Sequence, residues 1–510
     1  MEKHPTNDVQ IRYFVACPRS GSALLMRIFA ESPECGIITS RLMLTKAAAV
    51  GAPPRPDYSI LQSPTNHEIV QRASGDGKRI LICKGELGSD TKKGECSYPL
   101  LLAPSEYAAV RPVLLMRDPI RVFDSWKKMG WTDVQSLIDV LSNLFRMLKQ
   151  AEPGIISCLL YEQLAQQPRQ EIERVCSHWG IPFSDTMLNF TVPFGSSFPY
   201  INPAEEATDC KHQPPELFST AKINSTIVEN VLYHGLVTND EKAIIEENIG
   251  GLYLSCWRDH VVELSDILSK KLWIGFDLDD TLHEFRRASS AASNKVLEAM
   301  HERYGIPFAA LKSQYSEVLR TSTSNAFSDG KSSSEYRRDR FLAVTSHFSL
   351  PLEHGDPFLT QLLNLYEKTL KQSLELKSGA LNLLRTIKHL GKKVVIITEG
   401  PQDAQEWTVE NLGISPYVDF LATTNHFKVS KTDGLFVKVL ETLGITPSEI
   451  AYVGDNEHRD IIPAVAAGVF SFYFAEGLNC NLERYPPRIN TLNKLEHILS
   501  RHIKRIQQEA

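Results

Sequence analysis

The segment LWIGFDLDDT, residues 272–281, constrains the fold more than any other stretch of the chain. Its unbroken apolar run reads as a strand buried on both faces, and such strands belong to parallel sheets covered by helices. The strand delivers Asp277 and Asp279 to its carboxyl end. Two carboxylates placed there destabilise a fold unless a cation or a substrate answers their charge. Three later elements follow strands or strand loops in the same way: Thr398 after VVII, Lys431 in SKTDGLF, and Asp455 and Asp460 in GDNEHRD after IAYV. A hydroxyl, an ammonium and several carboxylates reaching one sheet edge make a site for Mg²⁺ and a phosphoryl group.

At about 150 residues per domain, a chain of 510 has room for more than one core. With 42% hydrophobic and 23% charged residues, it is neither a disordered chain nor a collagen-like or coiled-coil rod. Nine cysteines, with no CxxC and no zinc-like Cys/His spacing, read as reduced thiols. MEKHPTNDVQ lacks the apolar centre of a secretory signal and no run is long enough to span a membrane, so a cytoplasmic protein without a membrane partner is expected. The net charge of −6 hides an asymmetry, because residues 1–150 carry 20 Lys+Arg against 15 Asp+Glu, and residues 151–270 carry 7 against 17. The front excess is too scattered for a nucleic-acid stripe but suits one small polyanion.

Strand candidates at 12–16, 79–83, 113–116 and 155–160 alternate with helical periodicity up to Gly180. The pattern loosens over 203–215, which reads as a loop, and helical patterning resumes over 223–257. After a boundary near 262–271, strands are expected at 272–276, 394–397, 419–422 and 450–453, with helices up to about 375 and from about 492. The expectation is two parallel-sheet α/β domains, 1–265 and 271–500, with chemistry where the strands end.

The second half resembles the haloacid dehalogenase superfamily through DLDDT, Thr398, Lys431 and GDNEHRD, in that order. The resemblance implies a Rossmann-like domain with a helical cap at about 285–375, and a phosphohydrolase. Asp277 would be the nucleophile that becomes an aspartyl-phosphate, and Asp279 the general acid/base. Thr398 and Lys431 would hold phosphoryl oxygens. Asp277, the backbone carbonyl of Asp279 and Asp455 would ligate Mg²⁺, with Asp460 as a further or supporting carboxylate. Dehalogenation also uses a strand-end aspartate but needs no proton donor two residues later, so Asp279 favours phosphate. His283 and Glu284 would face the cap, and His458 is given no role.

Near the front, CPRSGSALL (17–25) reads as a strand, a tight turn and a helix start, an anion cradle of backbone N–H groups with Arg19 adding charge. An ordinary strand-to-helix turn would read the same way, and GxxxxGK[ST] is absent. Together with LMRDPIRVFDSW (115–126) and YEQL (161–164), the motif resembles sulfotransferases that use 3′-phosphoadenosine 5′-phosphosulfate (PAPS). That resemblance implies a P-loop-like domain in which Arg19, Ser20, Gly21, Ser22 and Ala23 cradle the 5′-phosphosulfate, and Arg117 and Ser125 bind the 3′-phosphate. Glu86 would be the base toward an acceptor hydroxyl or amine, with Lys84 steadying the bridging oxygen. Ala23 stands where the family usually has threonine, and no glycine- and basic-rich loop to close over the adenine is found.

The two resemblances imply one chain with two activities on small molecules, PAPS being the co-substrate of the first. A front domain that only binds a ligand, and a back domain that uses Asp279 in non-hydrolytic phosphate chemistry, stay open as alternatives. A phosphorylated intermediate is the expected substrate of the back domain, ahead of adenosine 3′,5′-bisphosphate.

Overall fold

The computed structural model of the chain describes residues 9–38, 60, 64–86, 88, 93–94, 96, 109–150, 154–191, 225–228, 232–322, 327 and 329–509. The loop expected over 203–215 lies outside these residues, as do parts of 223–257. Two compact units emerge, Met1–Trp257 with Gly477–Cys480, and Arg258–Glu476 with Asn481–Ala510.

The first unit is built on a parallel sheet of β1 (Gln10–Ala16), β2 (Cys35–Ile38), β3 (Ile80–Glu86), β4 (Val113–Met116) and β5 (Ser157–Leu160), in the order β2-β3-β1-β4-β5. Apart from Gln10 at its start, β1 is buried throughout, and β4 is buried along its whole length, as the apolar runs require. Helices Ser22–Ala30 and Pro168–Trp179 put Leu25, Phe29, Val175 and Trp179 into the same core as Phe14 and Leu115. Each such side chain contributes about 1.5–3 kcal/mol on burial. Strand β2 has four residues, too few to show a period, and the sequence reading passes over it. The expected helical stretch over 223–257 is shorter: among the described residues, helix begins only at Asn239, with Thr238 and Glu241 forming a capping box.

The second unit has a six-stranded parallel sheet: β6 (Trp273–Phe276), β7 (Lys393–Thr398), β8 (Phe420–Thr423), β9 (Ile450–Gly454), β10 (Phe470–Phe474) and β11 (Arg488–Ile489), in the order β11-β10-β9-β6-β7-β8. The chain runs outward from β6 through β7 to β8, then returns to β9 on the other side of β6. The reversal opens a crevice at the carboxyl ends of β6 and β9, where ligands settle in such sheets. The register pairs Phe276 with Val453, and the Asp277 N–H donates to the Val453 carbonyl at 2.9 Å, so the DLDDT and GDNEHRD turns leave the sheet side by side.

Four helices inserted between β6 and β7 form the cap: Phe285–Tyr304, Phe308–Ser322, Ser333–His347 and Pro357–Ser373. Ala288, Ala292, Val296 and Met300 recur at helical spacing and pack with Phe341, Leu359, Leu362 and Leu370 in a core of the cap's own. The sheet has a different core, in which Val395, Ile397, Val439 and Ile450 meet Tyr452.

Gly275 makes room for that tyrosine. A Cβ there would lie 3.0 Å from Tyr452 Cδ2 and 3.4 Å from Val395 Cγ1, both held in a close-packed sheet core. Gly275→Val should therefore destabilise the chain by about 2–3 kcal/mol, read as a lower midpoint in urea unfolding.

Candidate active site

At the crevice of the second unit, Lys431 is buried with its Nζ 2.5 Å from Asp277 Oδ1 and 2.5 Å from Asp460 Oδ1. It also donates to the Tyr452 hydroxyl at 3.2 Å, and that hydroxyl lies 3.1 Å from both the Ile397 carbonyl and Asp460 Oδ1. Asp460 Oδ2 accepts the Asn456 N–H at 2.9 Å, which ties the carboxylate to the turn after β9. Asp277, Asp455 and Asp460 each bring a carboxylate oxygen within 4.8 Å of the others.

Burial pushes the Asp277 carboxyl well up, with Lys431 opposing and Asp460, Asp279 and Asp455 reinforcing. Asp455 is pushed up to about 6 by burial and by Asp460, with Arg286 opposing. For Lys431, burial disfavours the ammonium, but Asp277 and Asp460 outweigh it and hold the group charged above its usual range. Three crowded carboxylates around one ammonium leave negative charge in excess. The oxygen donors and their mutual distances fit a divalent cation such as Mg²⁺.

Asp279 points differently. Its Oδ1 lies 2.9 Å from Nε2 of the buried His283, and its Oδ2 accepts from Gln405 Nε2 at 3.4 Å. Its side chain is outside the acidic triad. Asp280 adopts φ of 61° and pairs with Arg286, which also reaches Asp455 Oδ2 at 3.3 Å. The Thr398 hydroxyl is buried without a hydrogen-bond partner among the described residues and lines the same cavity.

A haloacid dehalogenase-like hydrolase family model matches residues 274–474. This stretch is a haloacid dehalogenase-like hydrolase domain. The chain is 26% identical over 231 residues to a glyceraldehyde 3-phosphate phosphatase of Methanocaldococcus jannaschii, which covers 44% of this chain and 93% of that protein. It is 25% identical over 240 residues to the pyrimidine 5′-nucleotidase YjjG of Escherichia coli, covering 45% and 98%. Among solved structures, a 2-haloacid dehalogenase from Pseudomonas syringae aligns with TM-score 0.36 and 22% identity over 46% of this chain and 99% of that one.

In the hydrolase domain, the sequence reading names Asp277, Asp279, Thr398, Lys431, Asp455 and Asp460, and the structure brings all six to one cavity of about 510 Å³. It does not name Gln405 or Arg286, which lie on helices with no strand-end signal. His283 carries one signal, its place four residues after Asp279. Glu284 is engaged by the buried Lys377 at 2.7 Å, and its neighbour Phe285 begins the cap.

In the first unit, the turn after β1 holds Arg19 at φ 75° and Gly21 at φ 98°. A Cβ on Gly21 would come 2.5 Å from Tyr161 Cδ2, so only glycine fits. Arg19 Nε donates to Ser125 Oγ at 3.0 Å, Arg117 Nη1 donates to the Arg19 carbonyl at 3.3 Å, and the Arg117 guanidinium stacks 4.5 Å from the Tyr161 ring centre. Glu86 accepts from Ser22 Oγ at 3.0 Å and from Lys84 Nζ at 3.0 Å. The turn that runs from Arg19 through Ser20 to Ala23 thus meets Arg117, Ser125, Lys84 and Glu86 at the carboxyl ends of β1, β3 and β4.

Glu162 anchors this arrangement from below. It is fully buried, accepts the Asp118 N–H at 2.9 Å, and Asp118 caps the helix Pro119–Lys128. Burial and Asp118 push its carboxyl up to about 7. The folded state therefore holds this proton more tightly than the unfolded chain, and stability falls as pH rises from about 4.5 to about 7. Glu162→Gln keeps an acceptor for Asp118 and should remove this slope. From pH 5 to pH 8, chemical denaturation should show the wild type losing about 2–3 kcal/mol relative to the variant.

Proposed function

We propose that the hydrolase domain is a Mg²⁺-dependent phosphatase of small phosphate esters. The observation that carries this is the pairing of Asp277, in the acidic triad with Lys431, with a second carboxylate, Asp279, held outside the triad by His283 and Gln405. An Asp277 oxygen attacks phosphorus as the ester P–O bond breaks, and protonated Asp279 gives its proton to the departing alkoxide. Asp279 then takes a proton from water as the water oxygen attacks the aspartyl-phosphate, releasing phosphate and restoring Asp277. Lys431 and Thr398 hold phosphoryl oxygens. Mg²⁺ bound by Asp277, Asp455, the Asp279 carbonyl and, directly or through water, Asp460 would offset the negative charge of phosphate and carboxylates. The phosphatase and nucleotidase names of the relatives support the same chemistry.

For the first unit we propose a sulfotransferase-like role with PAPS as donor. The bond from the Arg19 guanidinium to Ser125, and the like-charge influence of Arg117 on that guanidinium, support it, since two cationic side chains sit beside a glycine turn at a helix N-terminus. Glu86, beside Lys84, is the proposed base for the acceptor. The two activities would then act on one small molecule in succession.

Asp277→Asn should abolish phosphate release from p-nitrophenyl phosphate while circular dichroism stays native. Asp279→Asn should slow release by about 10²-fold or more yet bind Mg²⁺ with wild-type affinity in calorimetry. Turnover by the first variant, or loss of metal by the second, refutes these roles. Adenosine 3′,5′-bisphosphate should bind the chain, and Arg117→Ala should weaken it by about 2 kcal/mol while leaving adenosine 5′-phosphate unchanged. Equal weakening of both nucleotides would count against Arg117 as the 3′-phosphate ligand.

A further inference from the structure

The cavity of the hydrolase domain extends from Asp277 into the cap, and its charge is unevenly answered. At the sheet end every cation has a carboxylate: Lys431 has Asp277 and Asp460, Arg286 has Asp280 and Asp455, and Arg459 has Glu399 at 3.1 Å. At the cap end the pattern changes. Arg337 and Arg340, both half-buried and three residues apart on the helix Ser333–His347, line the cavity and pair with no carboxylate among the described residues. Arg337 is held over the Tyr366 ring at 4.9 Å. The Arg340 Nε and the Tyr336 hydroxyl, both buried, have no hydrogen-bond partner among the described residues. All the acidic lining residues belong to the turns after β6, β7 and β9.

A half-buried guanidinium without a counter-charge is costly, and a planar anion presented to its fork relieves the cost. Lys312, the remaining cap cation of the lining, is exposed and solvated, so it makes no such demand. We infer that the cap end of this cavity binds a second anionic group of the substrate, a carboxylate or a second phosphoryl, so that the substrate is a phosphomonoester charged at both ends. The inference rests on the reading of the Asp277 end as the phosphoester site. A volume of about 510 Å³ accommodates a metabolite-sized molecule between the two ends.

The test compares matched pairs on the full-length protein with Mg²⁺: 3-phosphoglycerate against glycerol 3-phosphate for a carboxylate, and fructose 1,6-bisphosphate against fructose 6-phosphate for a phosphoryl. At least one doubly charged member should exceed its partner in kcat/KM by about tenfold or more, and the pair that does so identifies the anion. Arg340→Met should reduce that ratio to about threefold or less, with Arg340→Lys restoring part of it. Equal kcat/KM within both pairs overturns the inference, and so does a folded Arg340→Met variant that keeps the ratio. Should Arg340→Met fail to fold, the wild-type ratios and Arg337→Met decide in the same terms. If no ester is hydrolysed, p-nitrophenyl phosphate included, the phosphatase reading falls. Calorimetric titration of the same pairs then reads the selectivity directly, equal affinities overturning the inference and tighter binding of the charged member supporting it.

Discussion

A buried ammonium held between two buried carboxylates organises the hydrolase domain. Lys431 reaches Asp277 at the end of β6 and Asp460 beyond β9, and its Nζ also meets Tyr452 on β9. Removing one member would strand a buried charge, which costs more than the pair contributes when intact. The geometry therefore fixes the relative positions of three separate chain segments. Gly275 leaves the Tyr452 ring its space, and the parallel register of β6 with β9 brings the two acidic turns side by side. Negative charge still exceeds positive in this cluster, and that excess fits a divalent cation.

The cap follows a different logic. Its helices bury their own apolar faces in a core distinct from that of the sheet, so their inner polar surface can vary without disturbing the chemistry. The acidic side chains sit in the turns after the strands, where backbone hydrogen bonds hold them, while the cap helices contribute Tyr315, Tyr336, Arg337 and Arg340 to the lining. This division explains why the strand-end carboxylates could be read from motifs and the cap residues could not.

The first unit solves a similar problem with opposite charge. Its sheet also reverses direction beside β1, and the turn there gathers Arg19, Arg117 and Lys84, whose charges are partly met by Glu86. Burial and Arg117 lower the affinity of Arg19 for its proton, with Glu86 opposing. An anion at this position would relieve the crowding of the two guanidinium groups. Tyr161 packs against both Gly21 and Arg117, linking the turn after β1 to the strand that ends at Leu160.

The sequence by itself determined the parallel α/β class, because runs such as WIGF and VLLM are apolar at every position and are buried along their whole length. It also pointed to Asp277, Asp279, Thr398, Lys431, Asp455 and Asp460: the aspartates follow apolar strands, Thr398 ends one, and Lys431 lies in the loop beyond β8 and the short helix Thr424–Phe427. Strands β2, β10 and β11 escaped it: two are too short to show a period, and FSFYF carries no polar residue at its end to mark a site. Only the tertiary structure decided which residues complete the sites. Gln405 and His283 bracket Asp279, Arg286 answers Asp455, and Arg337 and Arg340 face a cavity without counter-charges, through contacts between segments up to 169 residues apart. Local sequence records the chemistry that a residue can perform, whereas its charge environment depends on which distant segments fold against it.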